Sequence, residues 1–162
     1  MTTPLPDQDA RQRIRTDHGT NLVCLAGAGA GKTHELVERM VGAVASGAAP
    51  VGCMAAITFT RKAAGELRGR FFTRVKEAVE EESGRASAHL RVAANQIDQC
   101  FIGTIHAFCG RLLRERPIEA GLTPGFNEIE EREELGLLRA GWDGFVQERP
   151  ASGDDQLATF EQ

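Results

Sequence analysis

The chain is 162 residues long, a length that holds about one domain with a core of moderate size. Hydrophobic residues make up 41% and charged residues 26%, which excludes a disordered chain, and a formal net charge of −4 excludes a polycation that coats nucleic acid wholesale. No apolar run approaches the roughly 20 residues of a bilayer-spanning helix, and the polar start lacks the apolar centre of a secretory signal, so a cytoplasmic protein with no membrane partner is expected.

Short apolar runs alternate with longer helical ones, the pattern of an α/β fold with a mostly parallel sheet. Residues 21–26 (NLVCLA) predict a buried first strand that ends in a glycine-rich turn. Residues 32–46 predict a helix with Leu36, Val37, Met40, Val41 and Val44 on one side, stopped by the breaker at 47–50. A second buried strand is expected over 53–60, then a long helix over 61–83 with Ala64, Leu67, Phe71, Val75 and Ala78 at three- and four-residue steps. Gly84 interrupts this pattern, a shorter helix is expected over 87–95, and a third strand over 100–105 leads into a helix over 106–116 that Pro117 ends. After the turn at 121–125 and an extended run at 126–129, a last helix is expected over 131–148, with a frayed tail beyond Pro150. Cys24, Cys53, Cys100 and Cys109 form no CxxC pair and no zinc spacing, and their expected role is that of small buried hydrophobes.

Between the first expected strand and the first helix stands AGAGAGKT, Ala26 to Thr33. In that context the backbone N–H groups of Ala28, Gly29, Ala30 and Gly31 can cradle phosphate, Lys32 can place its ammonium near the terminal phosphates, and the Thr33 hydroxyl can ligate Mg2+. The generic phosphate-loop signature has glycine where this chain has Ala26. A dinucleotide fingerprint fails, because the residue three after Gly29 is Lys32.

Two further segments carry chemistry. The second strand runs into AITFTRKAAGELRGR, where Thr58 and Thr60 can hydrogen-bond phosphate, Phe59 can stack on a base, and Arg61 and Lys62 add positive charge. Taken singly, Phe59 suits the core equally well and Thr60 suits the cap of the following helix. From Arg61 to Lys76 there are six basic residues against one acid, Glu66, which taken alone also fits a solvated helix face. The third strand runs into IGTIHAFCGRLLRERP, which brings Thr104 and His106 to the carboxyl edge of the sheet, where open α/β sheets bind ligands; Phe108 and Cys109 are expected in the core.

The three segments, in this order, resemble the UvrD/Rep group of superfamily 1 DNA helicases, and the stretch 119–138 is similar to the RecB/AddA branch. That group is similar in carrying alanine at the position of Ala26, whereas Ala107 departs from its usual serine. The resemblance covers about residues 5–138 and implies an incomplete RecA-like P-loop NTPase lobe with a three-layer fold over residues 21–130. It also implies an N-terminal segment at 1–20 and the start of an inserted helical subdomain at 131–162. It implies ATP and Mg2+ as cofactors and Lys32 and Thr33 as catalytic residues. Gln8 would be the glutamine that reads adenine, with Gln12 as a rival. Thr58, Phe59, Thr60, Arg61, Lys62, Thr104 and His106 would meet single-stranded or duplex-end DNA, and a second helicase/nuclease subunit is an implied partner.

ATP hydrolysis by such motors needs an acidic pair and arginines that stabilise developing charge. Ile129, Glu130 and Glu131 mimic that pair superficially, with too short an apolar run before them. The chain is therefore expected to be a piece of a longer protein, active in repair or recombination there and not unwinding DNA alone. A small nucleotide kinase and a non-catalytic nucleotide- or DNA-binding piece are the alternatives.

Overall fold

A computed structural model describes residues 7–129 and 131–148. Leu5, from which the spacing of Gln8 is counted, Glu130 of the apparent acidic pair, and the tail from Pro150 lie outside them. The elements are helix α1 (Gln8–Thr16), helix α2 (Lys32–Ser46), strand β1 (Ala55–Thr58), helix α3 (Arg61–Glu81), helix α4 (Gly84–Asn95), strand β2 (Phe101–Thr104), helix α5 (Ile105–Glu115) and helix α6 (Glu131–Glu148). Among the described residues no helix is long and apolar enough to cross a membrane.

Strands β1 and β2 pair in parallel, with Ala55 opposite Phe101 and Thr58 opposite Thr104, and α3 and α4 form the crossover between them. Parallel pairing demands such a crossover, because the chain must return to the starting edge before the second strand begins. The α/β class expected from the alternating pattern is present in this pair.

The chain divides into two compact units, residues 1–112 and 113–162. In the first, the core is made by Val37, Met40, Val41 and Val44 of α2, Leu67, Phe71, Val75 and Ala78 of α3, and Leu90 and Ala93 of α4, closed by Ala56 of β1 and Ile102 of β2. Helix α3 buries the same five positions that its periodicity marks, because three- and four-residue steps keep a stripe on one face of a 3.6-residue helix. On α2 the stripe is narrower than expected: Val37, Met40, Val41 and Val44 are buried, while Leu36 lies at its exposed margin. The interruption expected at Gly84 is present: α3 stops at Glu81 with Glu82 extended, and Gly84, at φ 62°, opens α4 three residues before the expected start at 87.

Residues 21–26 do not form the expected first strand. They carry no regular structure, and Val23 and Leu25 are 89% and 95% exposed. A strand exists only through its ladder, and among the described residues β1 and β2 pair with each other alone. The cysteine expectation holds only for Cys100, which is buried. Cys24, Cys53 and Cys109 are exposed because they fall on this unpaired stretch, on a short 3-10 turn and on the outer face of α5.

In the second unit, Arg114 donates to Glu128 at 2.7 Å and its guanidinium covers the Phe126 ring. Along α6, Leu137, Leu138, Trp142 and Phe145 line an open apolar groove together with Ile129.

Candidate functional site

The loop before α2 is built by glycine. Gly29 and Gly31 have φ of 76° and 86°, left-handed values that a side-chain-bearing residue reaches only at a cost of about 1 kcal/mol or more. Gly31 is the residue from which α2 starts, so the first amides of α2 and those of the loop follow one another around the turn. A Cβ at Gly27 or Gly29 would meet nothing within 4 Å, so the backbone is open to a ligand at close range. Lys32 folds back over this turn and donates from Nζ to the carbonyls of Ala26 at 2.8 Å and Gly27 at 2.6 Å. Thr33 follows on the exposed first turn of α2.

Helix α1 lies along α2 without burying a single residue, and charge holds it there. Glu35, one turn into α2 and 5% exposed, accepts from Arg15 Nε at 2.7 Å and Nη2 at 2.9 Å, and from Arg11 Nη1 at 2.9 Å. These bonds, Arg15's first, outweigh the cost of burial and hold the Glu35 carboxyl down at about 2. Arg11 also donates to Asp7 and, from Nη2 at 3.1 Å, to the carbonyl of Ala30 in the glycine loop. Arg39 of α2 donates to the carbonyls of Ile14 and Asp17 at the end of α1, both at 2.6 Å. Sequence reasoning misses Arg11, Arg15 and Glu35, because polar docking leaves no apolar periodicity to read. Gln8 and Gln12, the two candidate adenine readers, lie on exposed positions of α1.

At the carboxyl end of β1 and β2, register brings the remaining residues together. Thr58 and Thr104 are paired across β1 and β2, so the segments that follow them, with Phe59 to Lys62 and His106, leave the sheet at the same edge. Thr60 Oγ1 accepts from the Ala63 N–H at 3.1 Å and caps α3, while Thr104 Oγ1 accepts from the Ala107 N–H at 3.3 Å in the first turn of α5. Thr58 Oγ1 donates to the Thr60 carbonyl at 3.0 Å and tightens the corner. Phe59, which the sequence allows in the core, is 95% exposed at this corner. Arg61 and Lys62 occupy the first turn of α3, where the helix dipole is positive and the turn carries no acid. Two cations there oppose the dipole, an arrangement that a bound polyanion would relieve.

The basic run along α3 is partly consumed inside the protein. Arg68 donates to the Ile102 carbonyl at 2.6 Å, and Arg74 pairs with Glu38 at 2.8 Å and Glu81 at 2.9 Å. The cations that bear on the strand corner are thus Arg61 and Lys62. His106 is exposed beside it, and Phe108, expected in the core, is half-buried against Phe101 with ring centroids 5.2 Å apart. Among the described residues no group of three His, Cys, Asp or Glu is placed to hold a metal.

Comparison with known proteins places these features in a lineage. Residues 7–158 match the family of UvrD/REP helicase N-terminal domains. The chain is 36% identical over 141 residues to an ATP-dependent helicase/nuclease subunit of Desulforudis audaxviator, covering 85% of this chain and 11% of that protein. It is 30% identical over 153 residues to the protein of the same name in Staphylococcus aureus, covering 91% and 12%. To DNA helicase II of Haemophilus influenzae it is 33% identical over 129 residues, covering 80% and 16%. The chain thus spans a small fraction of the length of these curated relatives, and the matched stretch takes in both the glycine loop and the strand corner. It belongs to the UvrD/REP helicase N-terminal domain family.

Proposed function

We propose that this chain is the ATP-binding lobe of an ATP-dependent DNA helicase, built on a RecA-like P-loop fold and working in DNA repair or recombination within a longer protein. The observation that carries the reading is the glycine loop, with left-handed Gly29 and Gly31, open space over the backbone and Lys32 folded across it at the start of α2. That cradle fits a polyphosphate, which needs close backbone approach, convergent N–H groups and a mobile cation. The amides of Ala28 to Gly31 and the Lys32 ammonium would hold the phosphates of ATP, and the Thr33 hydroxyl would ligate Mg2+. Bound ATP supplies the phosphoanhydride whose hydrolysis drives such motors.

The strand corner is the natural place for DNA. Phe59 offers a stacking face, Arg61 and Lys62 offer charge to the backbone, and Thr58, Thr60, Thr104 and His106 offer polar contacts beside them. Single-stranded DNA or a duplex end is the expected partner. Two of the relatives are each named as one subunit of a helicase/nuclease, which supports a second subunit beside the full-length protein. Unwinding is a property expected of that longer protein rather than of these residues alone.

Titrations with Mg–ATP and with a labelled oligothymidylate test both halves at once. Lys32→Ala should weaken ATP binding by about thirty-fold, the loss of one charge-assisted contact, and leave the oligonucleotide unaffected. Phe59→Ala should do the converse, weakening DNA by roughly five-fold or more through lost stacking. Equal ATP retention by Lys32→Ala sinks the nucleotide assignment, and equal DNA affinity in Phe59→Ala sinks the corner.

A further inference from the structure

We infer that Arg11, on the N-terminal helix, is a positioning residue for the phosphate loop: it sets the orientation of the Gly31 amide and thereby the affinity for nucleotide phosphate. The inference rests on the nucleotide-binding reading of the loop and adds a residue from outside the loop to it.

Arg11 Nη2 donates to the Ala30 carbonyl at 3.1 Å, and in a planar trans peptide that carbonyl and the N–H of Gly31 point in opposite directions. Fixing one therefore fixes the other. Gly31, at φ 86°, is a glycine whose own conformational preference restrains its peptide little, so an external restraint has much to add there. The Arg11 side chain is close enough to supply it: a Cβ built on Gly31 would lie 3.3 Å from Arg11 Nη1.

The guanidinium is itself fixed from two other sides. Its Nε and Nη2 donate to the two Asp7 carboxylate oxygens at 3.0 and 2.8 Å, and its Nη1 donates to Glu35 at 2.9 Å. A planar fork held at two carboxylates presents the second N–H of its Nη2 in a set direction, which a flexible ammonium cannot do. Arg15 shares the Glu35 carboxylate and helps dock α1, and both of its short bonds, from Nε and Nη2, go to that carboxylate rather than to the loop. Arg11 and Arg15 thus separate two roles that a single ion pair would confound.

The full chain is tested with Mg–ATP as probe, alongside amide exchange of residues 27–31 without nucleotide. Arg11→Ala should weaken Mg–ATP by about ten-fold and speed exchange in the loop, consistent with one charge-assisted hydrogen bond to a fixed amide plane. Arg11→Lys keeps a cation between Asp7 and Glu35, and so keeps the helix docked, but should still lose about three-fold or more. Arg15→Ala should lower the unfolding midpoint at least as far as Arg11→Ala while leaving affinity within about two-fold. Equal losses of affinity in Arg15→Ala and Arg11→Ala would overturn the inference, since helix docking alone would then explain both. So would unchanged loop exchange in Arg11→Ala. If the unaltered chain fails to bind Mg–ATP, or Lys32→Ala binds as well as it does, the nucleotide reading fails instead, and loop exchange in Arg11→Ala still decides whether Arg11 orders the loop.

Discussion

Glu35 sits in the wall between α1 and α2 with both oxygens engaged by arginines, and its carboxyl is held at about 2 against an ordinary value of 4.5. A carboxylate whose pKa falls on folding contributes stability that is fully present above the unfolded value and is lost as pH drops through the folded one. The window is therefore about pH 4.5 down to 2, and the amount at stake is of the order of 3 kcal/mol. Denaturant titrations across that window should show unfolding free energy falling in the native chain. In Glu35→Gln they should start lower at neutral pH and change less with acid. A variant with the same acid slope as the native chain would show that other carboxylates govern it. None of this is legible in the sequence: Arg11, Arg15 and Glu35 read as ordinary surface charges, because a polar contact across 20 or 24 residues leaves no periodic trace. The phosphate loop is legible for the opposite reason, since glycine at 29 and 31 is demanded by backbone conformation and is written in the letters.

The helices show which kinds of packing a sequence displays. Helix α3 is readable throughout its buried face, and Thr60 does cap it, one of the two roles that the sequence allows that residue taken singly. The close crossing of α1 over α2 is not, and it depends on Gly42. A Cβ there would lie 2.9 Å from the Arg15 carbonyl, a backbone atom that cannot swing aside. Alanine in a helix is normally favoured over glycine by about 1 kcal/mol, but a forced backbone shift costs roughly 1–3 kcal/mol, so the collision wins. Gly42→Ala should accordingly destabilise the chain by about 1 kcal/mol in urea titrations. Gly65→Ala on α3 has nothing within 4 Å of the new Cβ and should instead stabilise it by about 0.5–1 kcal/mol. Opposite signs are the expected result; stabilisation in both would mean that α1 moves away from α2 without penalty.

At the scale of the whole molecule, the stretch 21–26 reads as a strand and is not one, because apolar letters before a phosphate loop describe only half of what a strand needs. The other half is a neighbour with matching N–H and C=O groups, and the described sheet has two strands, β1 and β2, paired with each other. What remains is NLVCLA, uncharged, without proline, with Val23 and Leu25 almost fully exposed. A short, apolar, uncharged segment whose backbone has no ladder partner is a template for pairing with another copy of itself. This chain should therefore self-associate as its concentration rises, seen as growing light scattering at neutral pH. Val23→Thr combined with Leu25→Lys should suppress the association, because a charge and a hydroxyl on the segment oppose edge pairing. Neither side chain belongs to the core around Phe71, Val75 and Leu90, so the unfolding midpoint should move by less than about 2 °C. Scattering that stays flat with concentration in the native chain would show that the segment is protected in solution, and a large fall in midpoint in the double variant would show that it packs against the core after all.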